Sequence, residues 1–218
     1  MITKMAWITA TWLGRVLQSS DDEVEVFSYG LEIFLGAVIK VALLLLIAST
    51  LGIIMPVALV SCGIFGFRFF GGGSHLKTYP RCLAFGILVI VGLSWLSTYS
   101  VSQSFLLILL AITTVLGIVI IIKYVPAGTK KKSLSDPREI LAQKEKSKIL
   151  LLLWSLISLN LVLTSNNELG LSLFMGGFMG LYSITPWGYA MTNYLDDFID
   201  YLERGNIDSE ETNKPISW

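Results

Sequence analysis

Six apolar stretches, joined by connections of very unequal charge, are what this chain has to fold around. They cover residues 31–51, 56–67, 82–99, 105–122, 149–164 and 169–189. A helix that crosses a bilayer needs about 20 mostly apolar residues. The second stretch is the shortest, so a tilted, short-stopping or re-entrant path is open to it. Fifteen of the sixteen Lys and Arg residues fall in alternate connections or at the termini. Lys4 and Arg15 precede the first stretch, and Arg68, Lys77 and Arg81 separate the second from the third. Lys123, Lys130, Lys131, Lys132, Arg138, Lys144, Lys146 and Lys148 lie between the fourth and fifth or at their edges; Arg204 and Lys214 follow the sixth. The remaining connections, 49–55, 98–104 and 165–168, hold no cation. Cations mark cytoplasmic segments. The pattern predicts six spans with both termini in the cytoplasm, and an error of one span would destroy it.

Composition agrees with a membrane chain. Hydrophobic residues make up 54% of the sequence and charged residues 15%, with sixteen acids against sixteen bases. A soluble domain is about 25% charged, and a neutral one this apolar would precipitate. The same balance excludes a nucleic-acid binder, a disordered tail and a disulfide-stapled secreted domain. The first 18 residues carry one early cation, Lys4, but no uninterrupted apolar core and no clear cleavage site, so they are expected to stay in the mature chain.

The expected fold is all-α: a polytopic membrane protein with six transmembrane helices and flanking amphipathic helices. Residues 1–30 are read as N-terminal amphipathic, cytoplasmic helices. There Ile2, Met5, Ala6, Trp12, Leu13, Val16 and Leu17 recur at helical spacing. Ser20 and Glu23 are spaced as a capping box. Residues 31–190 form the membrane domain, with residues 68–82 as its catalytic loop. Residues 191–218 form a cytoplasmic helix and tail. In that helix Met191, Tyr194, Leu195, Phe198, Tyr201 and Leu202 make a stripe opposite Asp196, Asp197, Asp200 and Glu203. Both flanking regions are read as surface elements.

Chemistry concentrates between the second and third spans. The chain's one histidine, His75, and one of its two cysteines, Cys82, lie there. A thiol with an imidazole is the minimum for a cysteine nucleophile. On one straight helix their seven-residue separation would put them about 10.5 Å apart along the axis, out of hydrogen-bond reach. Gly71, Gly72 and Gly73 permit a sharp turn before His75. Tyr79 precedes a proline and should be extended, and Pro80 suits the first position of a helix. Cys82 then falls in the helix's first turn, where about half a positive charge favours a thiolate. Lys77 and Arg81 would add to that field. His75 would take the thiol proton and later protonate the leaving amine. Amides at the helix start are candidate oxyanion donors, and no Asp or Asn is placed by spacing to orient His75.

The bland alternative is a packing cysteine beside a solvated histidine. Cys62, inside the second span, is read as packing. Ser74 adjoins His75, but neighbours on an extended chain point apart. A Cys62–Cys82 disulfide is not expected facing a reducing cytoplasm. One His without clustered thiols makes a metal site unexpected, and no cofactor is expected.

Arg68, the glycine run, Gly73 two residues before His75, and Cys82 seven after it resemble the pattern of the accessory gene regulator B (AgrB) family. A second likeness follows the fourth span, in Tyr124, Pro126, Ala127, Thr129, Lys130, Lys131 and Lys132. With the six-span frame the resemblance covers residues 31–189, and the C-terminal helix and tail match nothing in it. The resemblance implies a cysteine endopeptidase in the cell membrane of a Gram-positive bacterium. His75 and Cys82 would be catalytic on the cytoplasmic side, supported by Arg68, Gly73, Lys130, Lys131 and Lys132. The implied partner is an AgrD-like propeptide lying on the membrane. Cys82 would attack the bond after the signal segment, and a Cys or Ser of the peptide would close a thiolactone or lactone for quorum sensing.

Several residues keep two readings. Arg68 is an interface anchor, or it grips a carboxylate or holds the loop; the resemblance favours the second. Lys130, Lys131 and Lys132 set topology or touch anionic lipid, or they dock an acidic propeptide tail. Lys40, with Glu32 two turns earlier, is a functional intramembrane cation or a packing partner, Asn160 being one candidate. Gly176, Gly177 and Gly180 suit close helix packing or a homodimer. The competing function is a non-enzymatic membrane subunit or an exporter of small peptides, which would move preformed peptide without cleaving it.

Overall fold

Eight α-helices, among the described residues, carry the whole architecture. The computed structural model describes residues 2–127 and 136–212, with side chains described for 3–127 and 136–203. The helices are α1 (Ile2–Leu17), α2 (Asp21–Leu51), α3 (Ile54–Gly71), α4 (Tyr79–Leu96), α5 (Gln103–Tyr124), α6 (Pro137–Leu163), α7 (Asn167–Ile184) and α8 (Pro186–Thr212). Each of α2 to α6 is long and apolar enough to cross a membrane. α7 and α8 together make a sixth candidate span, bent by 83° where they meet. The chain is an all-α polytopic membrane protein. It divides into two compact units, Met1–Ile54 and Met55–Trp218.

The first unit is a helical hairpin. At the start of α2 the Ser20 amide donates to Glu23 Oε2 (2.8 Å), the return half of a capping box. The helix then runs unbroken to Leu51, so the expected lead-in helix and first span are one element. α1 turns its smallest residues inward. Ala6, Ala10 and Gly14 are all buried, and a methyl group on Gly14 would overlap Val24. Trp7 and Trp12 stay exposed, as residues of a membrane interface do. Glu32 accepts from Thr3 Oγ1 (3.1 Å), which gives that carboxylate a partner inside the hairpin.

In the second unit α3, α5, α6 and α7 share a core. Phe67 meets Trp154 edge-on, 5.8 Å between ring centres. Trp154 Nε1 donates to Leu173 O (2.8 Å), so its polar edge is satisfied inside the bundle. The short second stretch is a full 18-residue helix, α3, about 27 Å long. It meets α7 through glycines. A methyl group on Gly63 would overlap the Gly176 and Gly177 backbone, and one on Gly176 would overlap Val60. The small residues of the sixth stretch are therefore used within the chain, where missing side chains let two backbones touch. α6 starts ahead of its apolar stretch, because Asp136 caps it by accepting the Arg138 N–H (2.8 Å) and Pro137 opens it.

The sixth stretch does not run straight through to residue 189. Thr185 is extended (φ −78°, ψ 160°), because the following Pro186 ring clashes with a helical backbone before it. α8 then leaves at 83°. Its apolar stripe points outward: Tyr194, Phe198, Tyr201 and Leu202 are all exposed. Asp196, expected on a solvated face, is only 1% exposed. α8 turns this part of its acidic side into the protein.

Candidate active site

The loop between α3 and α4 is built by two glycines that no other residue replaces easily. Gly72 and Gly73 have φ of +82° and +147°, which residues with a Cβ rarely adopt. A methyl group on Gly72 would overlap Ala127 O, and one on Gly73 would lie 2.9 Å from Ser183 Oγ. The loop is fastened on both sides. The Ala127 N–H donates to Gly71 O (2.8 Å), and the Ser74 N–H donates to Ser183 O (2.9 Å). The Tyr189 hydroxyl donates to Ala127 O (3.3 Å). The segment after α5, where the second sequence likeness begins, is thus joined to the glycine loop of the first. Thr129, Lys130, Lys131 and Lys132 of that likeness lie outside the described residues.

The turn carries His75 back to the start of α4, where Thr78 is extended and Pro80 sits in the first turn. His75 Nδ1 lies 3.8 Å from Cys82 Sγ, close enough for a thiol hydrogen bond. A neutral ring accepting there carries its own hydrogen on Nε2. Arg68 reaches over from the last turn of α3. Its Nη2 donates to Ser74 O and lies 3.1 Å from both ring nitrogens of His75. An atom equidistant from the two nitrogens sits over the ring rather than along either lone pair. Holding the loop is the reading of Arg68 that has contacts behind it. His75 is exposed and Cys82 is half-buried, so a chain could approach the pair. Cys62 and Cys82 are free thiols, and Cys62 is exposed on α3. Ser74 is buried, and its backbone ties the loop down.

Two expectations change. The Cys82 amide is committed to Thr78 O (3.0 Å) and Pro80 has no N–H, so neither offers an oxyanion donor. Lys77 and Arg81, expected to support a thiolate, are paired with carboxylates of α8. Lys77 Nζ meets Asp197 (3.3 Å) and Asp200 (3.1 Å). Arg81 meets Asp200 (2.6 Å), Glu203 (2.8 Å) and Asp196 (3.4 Å). Asp200, and after it Asp197, hold the Lys77 ammonium above the usual lysine range. Asp196 Oδ2 also accepts the Lys77 backbone N–H (2.9 Å). Sequence reasoning missed this junction. The available signal was spacing: Asp196, Asp200 and Glu203 repeat at four and three residues, one helix face, against Lys77 and Arg81 four apart.

Fold and site together define a class: a polytopic helical membrane protein with a histidine–cysteine pair on a glycine loop between two spans. The sequence profile of the accessory gene regulator B family matches residues 7–185. The chain belongs to that family. It is 35% identical over 108 residues to accessory gene regulator protein B of Staphylococcus intermedius, an overlap of 49% of this chain and 55% of that protein. The chain thus spans about half the length of the curated relative it matches. No solved structure matches it. α8 begins just past the matched residues.

Proposed function

We propose that this protein is a membrane cysteine endopeptidase. It cleaves an AgrD-like propeptide at the cytoplasmic face of the cell membrane and promotes cyclisation of the released signal segment. The observation that carries this reading is the 3.8 Å approach of His75 Nδ1 to Cys82 Sγ. His75 takes the Cys82 proton as Sγ attacks the carbonyl of the last residue of the signal segment. The C–N bond breaks, His75 protonates the leaving amine, and the segment stays on Cys82 as a thioester. A Cys thiol or Ser hydroxyl of the same segment then attacks the thioester. Its proton passes through His75 to the departing Cys82 thiolate, which closes the ring and restores the thiol. Low water at the membrane edge favours ring closure over hydrolysis. Arg68 steadies the imidazole throughout, and Gly73 keeps the loop in register. Lys130, Lys131 and Lys132 meet anionic lipid or an acidic propeptide tail. Both termini are read as cytoplasmic, a reading supported by the cation pattern.

Pure protein in liposomes, incubated with a candidate propeptide and read by mass, tests this. The expected products are a linear C-terminal fragment and a signal segment lighter by one water than its hydrolysed form. Uncleaved propeptide moved across the bilayer would support the exporter reading in its place.

A further inference from the structure

The geometry points to Asp196 as a positioning residue that holds His75 and Cys82 within reach of each other. This inference rests on the proposed cysteine chemistry and adds α8, which lies beyond the family-matched residues, to the site. Asp196 is 1% exposed. A buried carboxylate is costly unless it is paired and hydrogen-bonded, and this one uses both oxygens. Oδ2 accepts the Lys77 N–H at 2.9 Å, two residues after His75. Oδ1 lies 3.4 Å from Nη1 of Arg81, the residue next to Cys82. One side chain therefore staples both ends of the short segment that links the two reacting groups.

Asp197 and Glu203 do not have this arrangement. The Asp197 and Glu203 side chains are 74% and 63% exposed and bond only to the ends of Lys77 and Arg81 side chains. Exposed pairs of that kind contribute little. Among the described residues of α8, Asp196 alone is bonded to the loop backbone as well as to Arg81. The Thr185–Pro186 break aims it there, since a straight continuation of α7 would carry the helix elsewhere. Without this carboxylate the Lys77 amide loses its acceptor, while Arg81 keeps Asp200 and Glu203. The 75–78 turn then loosens and the His75–Cys82 distance is no longer fixed.

The test uses the full chain carrying Cys62→Ser, so that Cys82 is the single thiol. Two quantities are measured: propeptide cleavage, and the pH profile of Cys82 alkylation by iodoacetamide. Asp196→Ala is expected to lower kcat roughly 10- to 100-fold, the cost of a small misplacement of reacting groups, with KM little changed. Its alkylation profile should move toward that of His75→Ala. Asp196→Asn, which keeps an acceptor for the Lys77 amide, should fall between Asp196→Ala and the parent in both. Glu145→Gln, which removes an exposed pair with Lys148 on α6, should change neither. A wild-type alkylation profile in Asp196→Ala overturns the proposal, whether or not cleavage falls. If Asp196→Ala does not fold, an unchanged profile in Asp196→Asn overturns it instead. Failure of the underlying reading looks different: Cys82→Ala would still cleave, whereas alkylation needs no propeptide.

Discussion

Alanine at Cys82 is expected to end propeptide cleavage, and alanine at His75 to slow it about 10²- to 10⁴-fold, the contribution of a positioned general acid and base. The physical reason is the contact between them, His75 Nδ1 to Cys82 Sγ at 3.8 Å. Without Sγ there is no atom to form the thioester. Without the imidazole the attacking species is only the small thiolate fraction of an unassisted thiol, and the leaving amine has no acid. Neither change should unfold the chain. His75 is exposed and Cys82 is half-buried, and such positions rarely carry large stability effects. Initial rates of C-terminal fragment release in liposomes, beside an unchanged elution profile and helical content, check both parts.

The second large effect is at Arg68. Arg68→Ala removes the donor that holds Ser74 O and the guanidinium over the His75 ring. Loss of placement at the reacting groups should lower kcat about 100-fold. Arg68→Lys discriminates between its two roles. Lysine anchors a helix at a membrane interface as well as arginine does, so an anchoring role predicts full rescue. The loop-holding role predicts little rescue, because a lysine ammonium does not reproduce the guanidinium geometry that sets Nη2 against both Ser74 O and the His75 ring. A steady-state rate near that of Arg68→Ala is the expected outcome for Arg68→Lys.

Much of this architecture was legible because it is written locally. Apolar length marked the helices that became α2, α3, α4, α5 and α6. The glycine run and Pro80 announced a turn followed by a helix start, and the turn does return His75 to Cys82. The sixth stretch was drawn straight because apolar residues continue past Thr185, although the proline after it breaks the helix. The short second stretch became a full helix because Ile54, Met55 and residues 68–71 extend it at both ends. The α8 junction was not legible. Its partners lie 115 to 123 residues apart in the chain, and an acidic helix face normally marks the side that meets water. Lys77 and Arg81 looked like free positive charge beside a thiol for the same reason. Their carboxylate partners appear only once α8 is folded back.

The central claim is a thioester on Cys82, and one measurement addresses it directly. A propeptide whose ring-closing Cys or Ser is replaced by alanine can be cleaved but cannot cyclise. Incubated with the wild-type protein in liposomes, it should leave the chain heavier by the mass of the propeptide less that of the released C-terminal fragment. The added mass should map to Cys82 and be removed by hydroxylamine. Release of the C-terminal fragment with no added mass on the chain, or with the adduct on another residue, would contradict the account.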